Sequence, residues 1–528
     1  MLAEVQVEPA PAPAEAPPTL VLLCQDAEGR VAGLDLAEVA QWLTDHLRHI
    51  RVVRQKGLCS GLRVLRDAVQ QADAHRLVLG LCSDKYPQLE VQAYGRRAGL
   101  DPLGIQAVNL GDASSATGSP SARAKLLLAA AVARARAFRG SRPENLKAAL
   151  FPGQQEMSRR ALFTLPPVTY VPVPTIDRRR CAAESGCAQC AGACPHDALA
   201  KDGDVILVER ARCQSCGLCV AACPQRAVEL PGWSPDEIEA QLTALLDTDI
   251  GISERAVLLI CKDARGPVGD GWLPVRVPCV AMVPVAAILH ALAQGAAAVA
   301  LYPCEDDCPH GQGEALRGRV DYCQRLLWLM GRGPESVRVV GANTTDPAPL
   351  STPPVQSKSK RPTDSVVLFG REAAALALET LTARCAFDKD LVLEHPHSPL
   401  GVVRIDSRTC TGCGACASSC PTGALSYQRS EDEVALAFDP RLCAACGQCV
   451  PVCPEKAAGA IAAARVTDMR LISRGIQVFF QDQEARCHEC GAPIAARAML
   501  TRVATILGEG YNAQMIGRLC ADCRQGLR

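Results

Sequence analysis

The chain has 528 residues, 29 cysteines, 19 aromatics, and 56 basic against 56 acidic side chains, so its formal net charge is zero. A neutral chain with no basic block is not built to grip nucleic acid or an anionic membrane surface. An odd number of cysteines in a chain far longer than a small disulfide scaffold argues for thiolate–metal ligation in a reducing place.

Length gives a soft expectation of about three or four domains, and 48% apolar residues can fill several cores. The N-terminus has no basic segment followed by an apolar one, as a secretory leader would. The longest apolar stretch, Val283 to Tyr302, is broken by His290, Gln294 and Gly295, and divides into a helix and a strand rather than a membrane span. A cytoplasmic protein is expected.

Residues 1–18, rich in Pro and Ala, read as a disordered tail. Over 19–140, apolar runs at Thr19–Leu23, His49–Arg54, Leu77–Leu81 and Ile105–Leu110 alternate with helical patterns at Leu36–Leu47, Ser60–Gln71 and Ser121–Phe138. Such alternation predicts a mostly parallel sheet with right-handed crossovers. Residues 141–180 have little periodicity and read as a linker into a first cysteine block, 181–230. A second β/α block, 254–335, has strands at Ala256–Ile260, Pro274–Val277 and Ala297–Tyr302 and a helix at Val285–Gln294. Residues 343–364, rich in Pro, Ser and Thr, read as another linker. A helical pattern at Ala373–Ala383 leads to a second cysteine block, 400–465, and a tail, 470–528, with two more cysteine pairs.

The cysteine blocks are an internal repeat. Cys213, Cys216, Cys219 and Cys223 recur as Cys443, Cys446, Cys449 and Cys453, and Cys187, Cys190 and Cys194 recur as Cys413, Cys416 and Cys420. Three motifs read C-x2-C-x2-C-x3-C-P, opening at Cys410, Cys443 and Cys213. Three thiolates on one tight loop wrap three corners of an iron–sulfur cube, and the fourth, pinned before proline, reaches the other cube of the pair. This assigns one [4Fe-4S] cluster to Cys410, Cys413, Cys416 and Cys453, and its neighbour to Cys443, Cys446, Cys449 and Cys420. The first block gives Cys213, Cys216, Cys219 and Cys194 to one cluster, and Cys181, Cys187, Cys190 and Cys223 to the other. Five residues rather than two separate Cys181 from Cys187, so that cube is either completed by a longer loop or short of an iron. Both blocks resemble bacterial two-cluster ferredoxins, and four [4Fe-4S] clusters follow from the resemblance.

In block 254–335, Cys261, Cys279 and Cys304 each close a strand and Cys308 follows one turn later. Ligands of an open parallel sheet gather beyond the carboxyl ends of its strands, so four thiolates there suit one small cluster, with Cys323 to spare. Leu-Ile-Cys261, Val-Pro-Cys279 and Tyr302-Pro-Cys304-x3-Cys308-Pro-His310 resemble the delta subunit of methyl-viologen-reducing hydrogenase, which implies a [2Fe-2S] cluster.

In the N-terminal block, Cys24, Cys59 and Cys82 stand at comparable places. Val-Leu-Leu-Cys24, Gly57-Leu-Cys59-Ser60, Leu-Cys82-Ser83 and Gly99-Leu-Asp-Pro102 resemble the N-terminal domain of the heterodisulfide reductase A subunit. The resemblance implies a further [4Fe-4S] cluster at Cys24, Cys59 and Cys82, with Asp26 where that family has another cysteine. A domain without metal that serves for docking is the other reading. No glycine-rich dinucleotide loop follows a strand, and no phosphate loop is present, so the flavin part of that system has no counterpart here.

In the tail, Cys487, Cys490, Cys520 and Cys523 form two C-x2-C pairs able to close a tetrathiolate site. Zinc is the first expectation and rubredoxin-like iron the second, in a zinc-ribbon-like segment. The intervening Ile494–Leu507 has a helical pattern, so a helical hairpin is expected between the pairs. The histidines, including His196, His310, His395, His397 and His488, look scattered and form no catalytic set. The fold class expected is multidomain: two small parallel-sheet α/β domains, two ferredoxin-like α+β modules with two clusters each, and the zinc-ribbon-like tail.

Clusters without a substrate motif point to an electron-transfer subunit rather than a self-sufficient enzyme. It would relay electrons between a catalytic dehydrogenase, of formate dehydrogenase or hydrogenase type, and a flavoprotein or ferredoxin. A disulfide or heterodisulfide reductase-like enzyme, with Cys24, Cys59 and Cys82 as reactive thiols, and a redox-sensing or assembly factor for a molybdenum enzyme are the competing readings.

Overall fold

The computed structural model describes residues 18–60, 74–82, 98–114, 118–141, 146–150, 168–252, 255–264, 271–304, 308–340, 367–383, 390–430, 432–508 and 516–526, with a few isolated positions between them. The expected N-terminal tail, most of the helix at Ser60–Gln71, the linker at 343–364, and Cys385 lie outside the described residues. The chain forms two compact units, residues 1–172 with 236–252, and residues 173–235 with 253–528.

In the first unit a four-stranded parallel sheet has the order Ile50–Gln55, Thr19–Cys24, Arg76–Leu81, Gln106–Asn109. Every residue of Thr19–Cys24 is buried, as expected for a central parallel strand covered on both faces. The helix Leu36–His46 starts at Asp35, whose side chain accepts from the Ala37 and Glu38 N–H groups. It turns Leu36, Val39 and Leu43 inward at helical spacing. The helix Pro120–Ala137, capped by Ser119, is joined to it by Lys125 Nζ and Glu38 Oε1 at 2.5 Å. Arg134 on the same helix donates to Gln241 Oε1 at 2.9 Å, holding the helix Pro235–Asp247 to this unit. The low-periodicity stretch read as a linker instead holds an antiparallel pair, Leu146–Leu150 with Val168–Pro172. Its apolar alternation is too short to stand out from sequence alone.

The second unit contains the two cysteine blocks, and each is built the same way. In the first, Thr175–Ile176 pairs with Val228–Glu229, and Leu199–Asp202 forms a hairpin with Val205–Val208. In the second, Val402–Ile405 pairs with Ile461–Ala464, and Leu425–Arg429 forms a hairpin with Glu433–Phe438. Between the blocks lies another parallel sheet, ordered Trp272–Val277, Ala256–Cys261, Ala298–Tyr302, Val337–Val339. The helices Val285–Ala293 and Gly313–Leu329 belong to it, and the helix Ala373–Thr382 packs on the first of these.

A buried hydroxyl network ties this sheet domain to the second cysteine block. Tyr322 Oη and Ser398 Oγ both share hydrogen bonds with Thr467 Oγ1, at 2.6 and 2.9 Å. All three residues are fully buried, so each satisfied hydroxyl fixes the docking geometry and none could be left unpaired cheaply.

The tail departs from the helical hairpin expected of it. Gln477–Arg486 adds to the Glu433–Phe438 strand, Pro493–Ala496 adds in turn to Gln477–Arg486, and only then does the helix Arg497–Leu507 begin. The first C-x2-C pair sits in the turn of a β-hairpin, because pairing with an existing sheet edge overrides the local helical pattern of residues 494–496. Among the described residues, no helix is long and apolar enough to cross a membrane.

Candidate metal centres

The cysteine loops owe their shape to a repeated local device. Asp177, Asp406 and Asp439 each lie four residues before the first cysteine of a motif, and their Oδ1 atoms accept from Arg179, Arg408 and Arg441 N–H at 2.9 to 3.0 Å. The Asp177 and Asp406 carbonyls also accept from the N–H of Cys181 and Cys410, at 3.0 and 2.9 Å. These Asx turns place Cys181 as Cys410 is placed, despite its longer loop to Cys187.

Between the first and second cysteines of the three regular motifs, Gly412, Ser215 and Ala445 adopt φ of 65°, 56° and 53°. After the second cysteine, Gly414, Gly217 and Gly447 have φ of 74°, 79° and 73°. Two left-handed residues flanking the second cysteine let the backbone turn successive N–H groups toward one concavity, a nest for an anionic centre. Ser215 and Ala445 hold this conformation against its steric cost, as residues at functional loops do. In the irregular motif, Gly186 keeps the first left-handed position with φ of 86°, whereas Ala188, with φ of −136°, gives up the second.

Three cavities are walled by cysteines from crossed motifs. One of about 90 Å³ is lined by Cys443, Cys446, Cys449 and Cys420. Another is lined by Cys410, Cys413, Cys416 and Cys453, and a third by Cys213, Cys216, Cys219 and Cys194. In each, three thiols come from one loop and the fourth from the cysteine before the distant proline. The fourth thiols are themselves oriented by backbone N–H groups: Ala198 donates to Cys194 Sγ at 3.3 Å, Ala227 to Cys223 Sγ at 3.2 Å, and Leu425 to Cys420 Sγ at 3.5 Å.

Burial pushes the Cys416 and Cys449 thiols up to about 12 and the Cys216 and Cys443 thiols up to about 11, with neighbouring sulfurs adding to all four. In Cys443 and Cys216, backbone N–H groups work against that rise. Cys190 is likewise raised to about 12, by burial first and then by Cys223, Cys187 and Cys181, which brings the fourth set together. Thiols gathered in apolar walls resist ionisation unless a cation joins them, so the donor set fits iron–sulfur ligation.

The neighbouring sets are close enough to feel one another. Cys190 is among the charges acting on Cys219, Cys446 among those acting on Cys187, and Cys416 among those acting on Cys449. Gln448 Nε2 donates to the Gly186 carbonyl at 3.3 Å, joining the second block to the first beside Cys187.

In the parallel-sheet domain of the second unit, Cys261 ends the central strand and receives the Val280 N–H at 3.2 Å. Cys279 and Cys308 sulfurs lie 4.0 Å apart. Hydrogen bonding with Cys279 lowers the Cys261 thiol to about 7, and burial raises Cys304 to about 12. The Arg319 guanidinium stands behind the site, donating to the Ala281 carbonyl and, at 3.2 Å, to that of Val283. Cys323 is fully buried on the helix Gly313–Leu329.

The histidines are not scattered as their spacing indicated. His196 Nε2 and His310 Nδ1 are 2.9 Å apart, and both lie within 4.8 Å of Cys216 Sγ. His397 N–H donates to His395 Nδ1 at 3.1 Å. A pair 114 residues apart, as His196 and His310 are, leaves no local trace in sequence.

In the tail, Cys487, Cys490, Cys520 and Cys523 sulfurs all lie within 4.8 Å of one another, with Cys490 and Cys520 at 3.6 Å. Sulfurs around one tetrahedral ion with bonds of about 2.3 Å stand about 3.8 Å apart, so this set fits a single ion. Backbone N–H groups, led by that of Cys520, hold the Cys487 thiol down to about 6. In the first unit Cys24, Cys59 and Cys82 also lie within 4.8 Å of one another, all buried.

With this geometry in view, comparisons with known families divide the second unit. Residues 173–224 and 409–457 each match a 4Fe-4S dicluster domain, and residues 264–352 match the family described as methyl-viologen-reducing hydrogenase, delta subunit. No curated protein matches the chain. The chain is therefore an iron–sulfur electron-transfer protein with a hydrogenase-delta-like domain and room for up to four [4Fe-4S] clusters. The sequence reading missed the Asx turns and the left-handed residues; the recurring Asp four positions before Cys181, Cys410 and Cys443 was the available signal.

Proposed function

We propose that the second unit is a linear electron relay, and that the chain serves as a non-catalytic subunit between a dehydrogenase and an acceptor. The observation that carries this reading is the unbroken succession of ligand sets. Cys261, Cys279, Cys304 and Cys308 would hold a [2Fe-2S] cluster. Next come Cys194 with Cys213, Cys216 and Cys219; then Cys181, Cys187, Cys190 and Cys223; then Cys420 with Cys443, Cys446 and Cys449; then Cys410, Cys413, Cys416 and Cys453. Bound iron–sulfur clusters supply one-electron exchange at potentials tuned by burial and by hydrogen bonds to sulfur.

The chain's own residues do the rest. The crossed cysteines fix each pair of centres at a short, constant separation. The N–H groups at Ala198, Ala227 and Leu425 stabilise thiolate charge. Gln448 holds the two modules in register. The His196–His310 hydrogen bond bridges the delta-like domain and the nearest ferredoxin set.

The delta-like match supports a hydrogenase-type or formate dehydrogenase-type catalytic subunit as the partner at the Cys261 end, and a flavoprotein or ferredoxin as the partner at the other. The N-terminal unit, which resembles the heterodisulfide reductase A subunit, would contribute to docking. The tail tetrathiolate would hold zinc as a structural knuckle. Anaerobic purification should yield about 18 irons per chain, from four cubes and one two-iron cluster. Fewer than about eight irons alongside full zinc occupancy would sink the relay.

A further inference from the structure

The two parallel sheets of this chain, one in each unit, share a topology: in both the strand order is second, first, third, fourth. Their cysteines follow suit. Cys24 ends the first strand of its sheet as Cys261 ends the first strand of the other. Cys59 lies in the 3-10 turn Leu58–Ser60 after the second strand, and Cys279 directly precedes the 3-10 turn Val280–Met282 after its own. Cys82 follows the third strand, Arg76–Leu81, and Cys304 follows Ala298–Tyr302. The fourth thiol has no counterpart, because the residue four places after Cys82 is Tyr86, and residues 1–172 and 236–252 contain no other cysteine.

A cube needs its corners spread over different irons, but these sulfurs are gathered. All three lie within 4.8 Å of one another, and Cys24 and Cys82 are 4.0 Å apart, close to the edge of about 3.8 Å expected around one ion. The further [4Fe-4S] cluster that the N-terminal resemblance implies does not fit this set.

We infer that Cys24, Cys59 and Cys82 form a single-ion trithiolate site for a thiophilic divalent d10 cation of the zinc class. Three converging observations support it. The sulfurs are buried beyond the carboxyl edge of a parallel sheet, where open α/β sheets bind their ligands. The Cys82 N–H donates to Cys59 Sγ at 3.1 Å, which orients that sulfur toward the other two. The Asp26 carboxylate, anchored by the Gly57 N–H at 3.0 Å, stands 3.8 Å from Cys24 Sγ, adjoining the trio. A soft, redox-inert ion suits an all-thiolate set, and a divalent charge leaves the buried site closer to neutral than a monovalent one would. Loading forms three metal–sulfur bonds and releases the three thiol protons to solvent, with no change of oxidation state.

The test is metal analysis of the full chain, purified anaerobically and equilibrated with zinc(II). Cys59→Ser should lose one equivalent of zinc and leave iron unchanged. A loss of iron with zinc unchanged, or no change in either metal, overturns the assignment. Should Cys59→Ser fail to fold, zinc-edge X-ray absorption of a Cys490→Ser, Cys523→Ser double variant, whose tail site keeps only two thiols, serves instead. One remaining zinc with a sulfur-dominated shell supports the site, and absence of zinc overturns it. Because the readout is zinc, its failure is separate from failure of the iron-based relay.

Discussion

His196 Nε2 lies 2.9 Å from His310 Nδ1, so the residue two places after Cys194 meets the residue two places after Cys308. The hydrogen bond spans the boundary between a ferredoxin module and the delta-like domain, where an electron would have to change domain. The rings meet edge to face, and burial together with the neighbouring His196 lowers the His310 imidazole.

Replacing His310 by Ala should remove this bridge at a cost of about 1 kcal/mol in stability, with iron content unchanged. Under rapid mixing, reduction of the ferredoxin centres through the delta-like domain should slow, while direct reduction by dithionite should not. Equal rates in the variant and the parent chain by both routes would remove the pair from the path.

The crossed ligation makes a prediction that a sequential one would not. Cys420→Ser should cost up to about four irons and disturb the centre bounded by Cys443, Cys446 and Cys449, although Cys420 belongs to the Cys410 motif. Cys453→Ser should instead disturb the centre bounded by Cys410, Cys413 and Cys416. Electron paramagnetic resonance of the two reduced variants should show different surviving signals, and the reverse pattern would refute the crossing.

Gly217 is held at φ of 79°, and a Cβ there would come within 2.6 Å of Met282 Sδ. Gly217→Ala should therefore destabilise by about 1–2 kcal/mol from backbone conformation alone, and by more from the close approach of the delta-like domain. Thermal unfolding followed with loss of visible absorption checks this: the midpoint should fall by a few degrees (~2–4 °C or more). Gly447→Ala, with the same φ class but no neighbour within 4 Å, should cost less.

Asp321 accepts from His395 Nε2 at 2.9 Å and pairs with Arg325, and these contacts, His395 first, hold its carboxyl below the usual carboxylate range. A depressed carboxyl contributes stability that is fully present above its unfolded value of about 3.9 and is lost as pH falls through the folded value. The difference in stability between the parent chain and Asp321→Asn should thus be steady above about pH 5 and shrink below about pH 4. The effect should be small because the carboxylate is half exposed and screened. Urea titrations at several pH values measure it; a difference that grows in acid would contradict the assignment.

Much of this protein was legible in its sequence because its strongest signals are local. The C-x2-C-x2-C-x3-C-P runs specify a tight loop within eleven residues, and their repetition identified both ferredoxin modules. The strands Thr19–Cys24 and Ala256–Cys261 were readable as apolar runs because parallel strands buried on both faces carry no polar alternation. The irregular spacing from Cys181 to Cys187 left that centre open, and only the Asx turn at Asp177 revealed how the first thiol is held. The tail misled for a definite reason: residues 494–496 carry a helical pattern, yet backbone pairing with Gln477–Arg486 draws them into a sheet.

Sequence by itself marked which cysteines are candidate thiolate donors, and in what local loops, because ligand spacing is a property of a few consecutive dihedral angles. Only the tertiary structure decided which sets adjoin, that His196 meets His310, and that Tyr322, Ser398 and Thr467 share one buried hydrogen-bonded cluster. These relationships join residues tens to hundreds of positions apart. They are set by the packing of whole elements, for which no local pattern in the chain stands as a sign.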